Sequence, residues 1–175
     1  VFAFSENLKT INYNFKLDVD KFVQVDLERL PKIIDALGGV DINVTSDEVG
    51  YLNSYIKGID SKNGTTTEPV YSIGLQTLNG TQAAAYCRIR YTEGRDFKRT
   101  ERQRDVLNSL FVKFKDINLV EVPGLISEIL PLVTTNLTNS EIISYSTKAL
   151  SMGLNNIEQG RFPSDANIIT TEITD

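Results

Sequence analysis

The residues best equipped for chemistry fall in one run, Ala85 to Asp105, AYCRIRYTEGRDFKRTERQRD. It carries Arg88, Arg90, Arg95, Lys98, Arg99, Arg102 and Arg104 against Glu93, Asp96, Glu101 and Asp105, in a chain whose formal net charge is -5. Guanidinium groups grip phosphate oxygens through paired N–H···O bonds, so a basic island in an acidic chain points first to an anionic, phosphate-bearing ligand. Cys87, Ile89 and Tyr91 alternate with Arg88 and Arg90, the period of a strand with one apolar and one polar face, which would send both guanidiniums the same way. After a turn at Thr92-Glu93-Gly94, Asp96 is placed to cap a helix on which Leu107, Leu110, Phe111 and Phe114 recur at helical spacing, ending near Asp116. Arg99 and Gln103 lie one turn apart near its start, where unpaired N–H groups and the helix dipole also favour an anion. Two strand arginines facing such a helix start make a diphosphate cradle. The competing reading is a solvated charged face with internal Glu–Arg pairs. Arg88 and Arg90 weigh against it, because charges within an apolar strand need a partner.

Composition narrows the chemistry further. Histidine is absent, which removes histidine-based triads, histidine general bases and the usual zinc sites. A single cysteine, Cys87, forms no internal disulfide and reads as a small buried apolar residue. Acid–base work is left to carboxylates, tyrosines or lysines. Asn-x-Ser/Thr triplets at Asn43, Asn63, Asn79 and Asn136 need no more than turn and capping roles. No run approaches the ~20 apolar residues of a membrane span. Nucleic acid is a poor partner, since the total charge is acidic, the basic residues form one pocket-sized cluster and no helix-turn-helix pattern occurs.

The 175 residues suit one domain in which several elements must hold that run in place. A helix from Ser5, with Leu8, Ile11 and Phe15 on one face, precedes a strand over Lys21 to Asp26. A helix over Leu27 to Leu37, with Pro31 tolerable only in its first turn, stops at Gly38-Gly39 before a strand, Val40 to Val44. This strand–helix–strand order points to a layered α/β fold, with a right-handed crossover if the strands are parallel. A helix over Ser46 to Ile59, a loop at Ser61 to Thr67 and a short helix, Thr81 to Tyr86, lead into the arginine strand. Beyond the long helix, short helices broken at Pro131, with Pro123 near a start, precede a helix from Asn139 or Ser140 to about Met152. The tail, Ile157 to Asp175, reads as edge strands and a polar end. The helices between Leu107 and Leu150 carry more apolar surface than one sheet face needs, which serves either a core or a groove for a lipid tail.

The pattern LNGTQAAAYCRIR, then DFKRTERQR, with VDLERLPKIIDALGGVDINV upstream, resembles the LytR-CpsA-Psr family of bacterial cell-wall glycopolymer transferases. The resemblance is strongest from Val19 to Val44 and from Gly74 to Leu110. It implies a layered α/β/α domain with a central mixed sheet flanked by helices, of which residues 1–175 are the C-terminal portion, with further strands and a membrane helix preceding it. The activity implied is transfer of a glycopolymer such as teichoic acid or capsule from a polyprenyl-(pyro)phosphate-linked donor to a peptidoglycan acceptor. The setting implied is the outer face of the cytoplasmic membrane of a Gram-positive bacterium. Arg88 and Arg90 match the family's paired strand arginines, Asp96 the acid of a D-x-x-R motif, and Arg99 and Gln103 the arginine and glutamine of the following helix. On that match Arg88, Arg90 and Arg99 grip the diphosphate and Gln103 orients it. Asp96 orients an arginine or helps the acceptor hydroxyl lose its proton. Mg²⁺ is the implied cofactor, with its acidic ligands upstream of this chain. Alternatives are a non-catalytic polyprenyl-phosphate-binding wall protein and a transcriptional attenuator.

Overall fold

The computed structural model describes residues 2–91, 95–118 and 120–151, with the side chains of residues 2–5, 95 and 96 outside that description. The expected tail strands fall outside it too. The order of elements is α1 (Phe2–Phe15), β1 (Val23–Val25), α2 (Leu30–Ala36), β2 (Val40–Val44), α3 (Ser46–Asn63), β3 (Gly74–Leu78), α4 (Gly80–Tyr86), α5 (Arg95–Lys115), α6 (Val122–Ile129), a 3₁₀ turn (Leu130–Leu132), β4 (Val133–Thr135) and α7 (Asn139–Ser151). No described helix is long and apolar enough to cross a membrane.

The fold is α/β, as the residue periods require. Among the described residues its strands form two antiparallel pairs: β1 with β4, Val23 opposite Thr135, and β2 with β3, Val40 opposite Leu78. β1 and β2 therefore sit in separate sheets, and α2 links the two instead of crossing over within one. β2 alternates buried Val40, Ile42 and Val44 with exposed Asp41 and Asn43, the signature of a strand with one covered face.

Local signals set the boundaries. Residues 27–29 turn before α2 begins, because Pro31 occupies its first turn, where its missing N–H costs nothing. Gly39 follows at φ +94°, with the Leu78 carbonyl so close that a Cβ there would sit 2.9 Å from its oxygen. Gly80 is tighter: a Cβ would meet the Pro31 carbonyl oxygen at 2.0 Å, so glycine is what lets α4 start against α2. The Gly80 N–H donates to Asp35 Oδ1 across that contact at 2.7 Å. Asn79 caps α4, accepting from the Gln82 N–H, and Thr45 with Glu48 forms a capping box on α3. Ile34, Val40, Leu52, Ile56, Leu78 and Ile89 are at the centre of the core, which α2, α3, α4, β2 and α5 enclose.

Candidate functional site

The segment after α4 is not the strand that its alternation predicts. The N–H groups of Cys87, Arg88 and Ile89 bond back to the carbonyls of Ala83, Ala85 and Tyr86, so the chain leaves α4 through a helical turn, and residues 89–91 have no ladder partner among the described residues. The sidedness nevertheless survives. Cys87 and Ile89 are buried in the core, which leaves half-buried Arg88 and exposed Arg90 outside it. Tyr91, expected on the apolar face, is instead 71% exposed.

Helix α5 crosses behind this segment and holds it by its carbonyls. Arg102, only 4% exposed, donates from Nη1 to the Ile89 carbonyl at 3.2 Å. Its Nε meets Glu48 Oε1 at 2.7 Å, and its guanidinium lies 5.9 Å from the centre of the Tyr86 ring. Glu48 is equally enclosed, at 6% exposed, and its second oxygen accepts the Thr45 N–H at the start of α3. One buried ion pair thus ties α3, α5 and the arginine segment together. Gln103 adds a long contact from Nε2 to the Cys87 carbonyl, 3.5 Å.

Arg88, Arg90, Arg99 and Gln103 line one cleft of about 290 Å³, together with Leu27, Tyr55, Cys87 and Tyr91. The structure therefore brings together four of the five residues singled out in the sequence. No carboxylate lines this cleft among the described residues, so its described walls are cationic, amide and aromatic. Arg88 reaches the field of Glu28, whose carboxyl is held below its usual range first by ion-paired Lys62 and then by this arginine. Burial pushes the Cys87 thiol up to about 12, which keeps it a neutral wall residue and removes it as a nucleophile at physiological pH. The fifth residue, Asp96, lies in the first turn of α5, one position inside its start; its side chain is outside the described residues.

On the neighbouring face of α5 is a larger cleft, about 520 Å³, lined by Asp41, Glu48, Lys98, Glu101, Arg102 and Asp105 among others. Its two lining cations are matched by acids, Lys98 by Glu101 at 2.8 Å and Arg102 by Glu48, and Lys113 beside it reaches the lining Asp41 at 2.9 Å. Asp105 has its carboxyl pKa raised, first by burial and then by the charge of Glu101.

An apolar pocket of about 250 Å³ opens at the far end of α5, walled by Val23, Phe114, Ile126, Ile129, Val133 and Ile142 among others. Its walls come from β4, where the sequence predicts short helices instead of a strand, and from α6 and α7, which pack on each other. Val23 and Leu27 belong to the two hollows and stand four residues apart, at most about 13 Å of extended chain. Gln103 and Phe114 do the same along α5, about 16 Å apart at 1.5 Å per residue. The arginine cleft suits an anionic head in character and the apolar pocket an apolar tail.

Magnesium fits the described residues poorly. No group of three or more His, Cys, Asp or Glu side chains is arranged among them to hold a metal, and the arginine cleft presents cations where Mg²⁺ requires oxygen ligands.

Arg102 and Glu48 are the residues that sequence reasoning missed. The signal was present in the helix period, since Arg102, Val106 and Ser109 fall on one face and all are buried, but within RTERQR one arginine looks like another.

A model of the LytR_cpsA_psr family matches residues 4–174. Among curated proteins, the chain is 32% identical over 133 residues to the polyisoprenyl-teichoic acid–peptidoglycan teichoic acid transferase TagU of Bacillus subtilis, covering 74% of this chain and 38% of that protein. It is 27% identical over 140 residues to the transferase of the same description, TagV, from the same organism, covering 78% of this chain and 33% of TagV. Among solved structures, TagT bound to LIIa-WTA superposes with a TM-score of 0.61 at 25% identity, over 81% of this chain and 49% of that one. The chain spans about a third of the length of these curated relatives.

Proposed function

The chain belongs to the LytR-CpsA-Psr family, and from that premise we propose that it forms the donor-binding part of a transferase that moves a phosphoglycan from a polyprenyl diphosphate to a peptidoglycan hydroxyl. The observation that carries this reading is the convergence of Arg88, Arg90, Arg99 and Gln103 on one cleft. Three guanidiniums facing a common hollow at the start of a helix are suited to a diphosphate, and its lipid tail would run toward the apolar pocket lined by Val23 and Phe114. The relatives named as teichoic acid transferases support the same substrate class.

In the reaction, an acceptor sugar hydroxyl attacks the phosphorus nearer the glycan. The bond from that phosphorus to the bridging oxygen breaks, and polyprenyl monophosphate leaves with the bonding pair. Negative charge gathers on the non-bridging and bridging oxygens, and Arg88, Arg90 and Arg99 are placed to neutralise it without taking or giving a proton. Gln103, whose amide already reaches the Cys87 carbonyl, would fix the position of one phosphoryl oxygen. The hydroxyl proton passes to a carboxylate, a role that Asp96 is proposed to serve if it does not instead orient one of the arginines. The reaction would take place outside the cytoplasmic membrane, where peptidoglycan is found.

The test is transfer of a lipid-linked glycan to peptidoglycan oligomers by the full-length protein. Arg88→Ala and Arg99→Ala should each lose ~2–4 kcal/mol of transition-state stabilisation, roughly a hundredfold in rate. Undiminished turnover in both variants would end the proposal. Donor binding without any turnover by the wild type would favour the non-catalytic lipid-phosphate-binding alternative.

A further inference from the structure

Beside the arginine cleft stands an aromatic wall that neither packing nor phosphate binding explains. Tyr91 lines the cleft directly after Arg90 and is 71% exposed. Its ring stacks on Tyr51, itself 38% exposed, with ring centres 6.0 Å apart and planes inclined by 30°. Tyr55, one turn further along α3, lines the same cleft. Two large rings held together in water, against a cationic hollow, are costly to leave uncovered and are stiff, having few rotatable bonds to freeze on binding. Tyrosine offers an apolar face and a hydroxyl rim. A pyranose offers the same pair of features, with C–H groups on its face and hydroxyls around its edge.

We propose that Tyr91, braced from behind by Tyr51, is the surface on which a pyranose of the glycan substrate lies while its phosphate is held by the arginines. The inference deepens the reading above and rests on it. Tyr91 follows Arg90 immediately in the chain, so a ring one bond beyond an arginine-held phosphate is within its reach. The sugar comes either from the donor, as the residue esterified to the diphosphate, or from the acceptor glycan. Both present the same ring chemistry, and Tyr91 would act as a specificity-determining residue in either case.

Affinity of the chain for three probes separates the cases: farnesyl diphosphate, farnesyl diphospho-N-acetylglucosamine, and a phosphate-free peptidoglycan glycan tetramer. Wild type, Tyr91→Ala, Tyr91→Trp and Tyr51→Ala are compared, with melting temperatures as a control for folding. The expected result is that Tyr91→Ala loses about tenfold for a sugar-bearing probe and nothing for farnesyl diphosphate. Tyr51→Ala should lose less, and Tyr91→Trp should retain binding. A loss confined to the glycosylated diphosphate assigns the ring to the donor, and a loss confined to the tetramer assigns it to the acceptor. Equal losses for all probes, or no loss for either sugar-bearing probe, overturn the inference while leaving the diphosphate site intact. Failure of the wild type to bind farnesyl diphosphate overturns the diphosphate reading, and the sugar wall with it.

Discussion

Two clefts border helix α5, lined by residues one step apart on the same helix, and they differ in the charged groups that line them. Arg102, Lys98 and Asp105 face the larger hollow, where each cation has a carboxylate within ion-pair distance or is buried against one. Arg99 and Gln103 face the smaller one, which Arg88 and Arg90 also line. The larger cleft has the volume and the titratable groups that usually mark a site. Its charges are nevertheless spent on holding α3, α5 and the Ile89 carbonyl together. The smaller cleft gathers three guanidiniums around one hollow, which suits it to a ligand of opposite sign. The kind of charged group that lines a hollow, more than its size, separates the scaffold from the site.

The largest effect expected from that contrast is on stability. Glu48→Ala or Arg102→Ala leaves one buried charge without its partner and should cost about 3–5 kcal/mol in denaturant unfolding, whereas Arg90→Ala, on the exposed side, should cost under about 0.5 kcal/mol. Replacing Glu48 and Arg102 together by methionine should recover most of the loss. Similar losses from Arg90→Ala and Arg102→Ala would erase the distinction.

The second prediction makes one cleft resemble the other. Gln103→Glu places a carboxylate beside Arg99 and should weaken farnesyl diphosphate binding by about tenfold, or ~1.4 kcal/mol, with folding stability unchanged or improved. Unchanged affinity would mean that the net charge of the cleft is not what selects the ligand.

The smallest effect concerns the far end of the molecule. Lys21 Nζ meets Glu141 Oε1 at 2.7 Å, and that contact, with two from Thr138, lowers the Glu141 carboxyl from 4.5 to about 2. A carboxyl depressed in the folded state stabilises above its ordinary pKa and loses that contribution as the pH falls through its folded value. Glu141→Gln should therefore lower the melting temperature slightly at neutral pH, and the difference from wild type should vanish between about pH 4.5 and about pH 2. A difference that persists at the acid end would assign it to the lost Thr138 contacts instead.

The sequence made the arginine cleft legible because its members obey a short local rule: alternation at Cys87–Arg90 and one helical turn between Arg99 and Gln103. The alternation pointed the side chains correctly while misnaming the backbone, since a helical exit buries Cys87 and Ile89 as well as a strand would. β3 and β4 were not legible. Both are short, and β4 takes its identity from Val23, over a hundred positions away in the chain, a pairing with no local signal. The Thr45–Glu48 capping box was readable as a helix start. That the second oxygen of Glu48 would find Arg102 depended on tertiary packing alone.

The account turns on which cleft takes the phosphates. Titrating the chain with farnesyl diphosphate while following arginine Nε and glutamine Nε2 signals by ¹⁵N NMR decides it. The account predicts that Arg88, Arg90, Arg99 and Gln103 shift together and that Arg102 stays still. Movement of Arg102, with Arg88 and Arg99 silent, would contradict it.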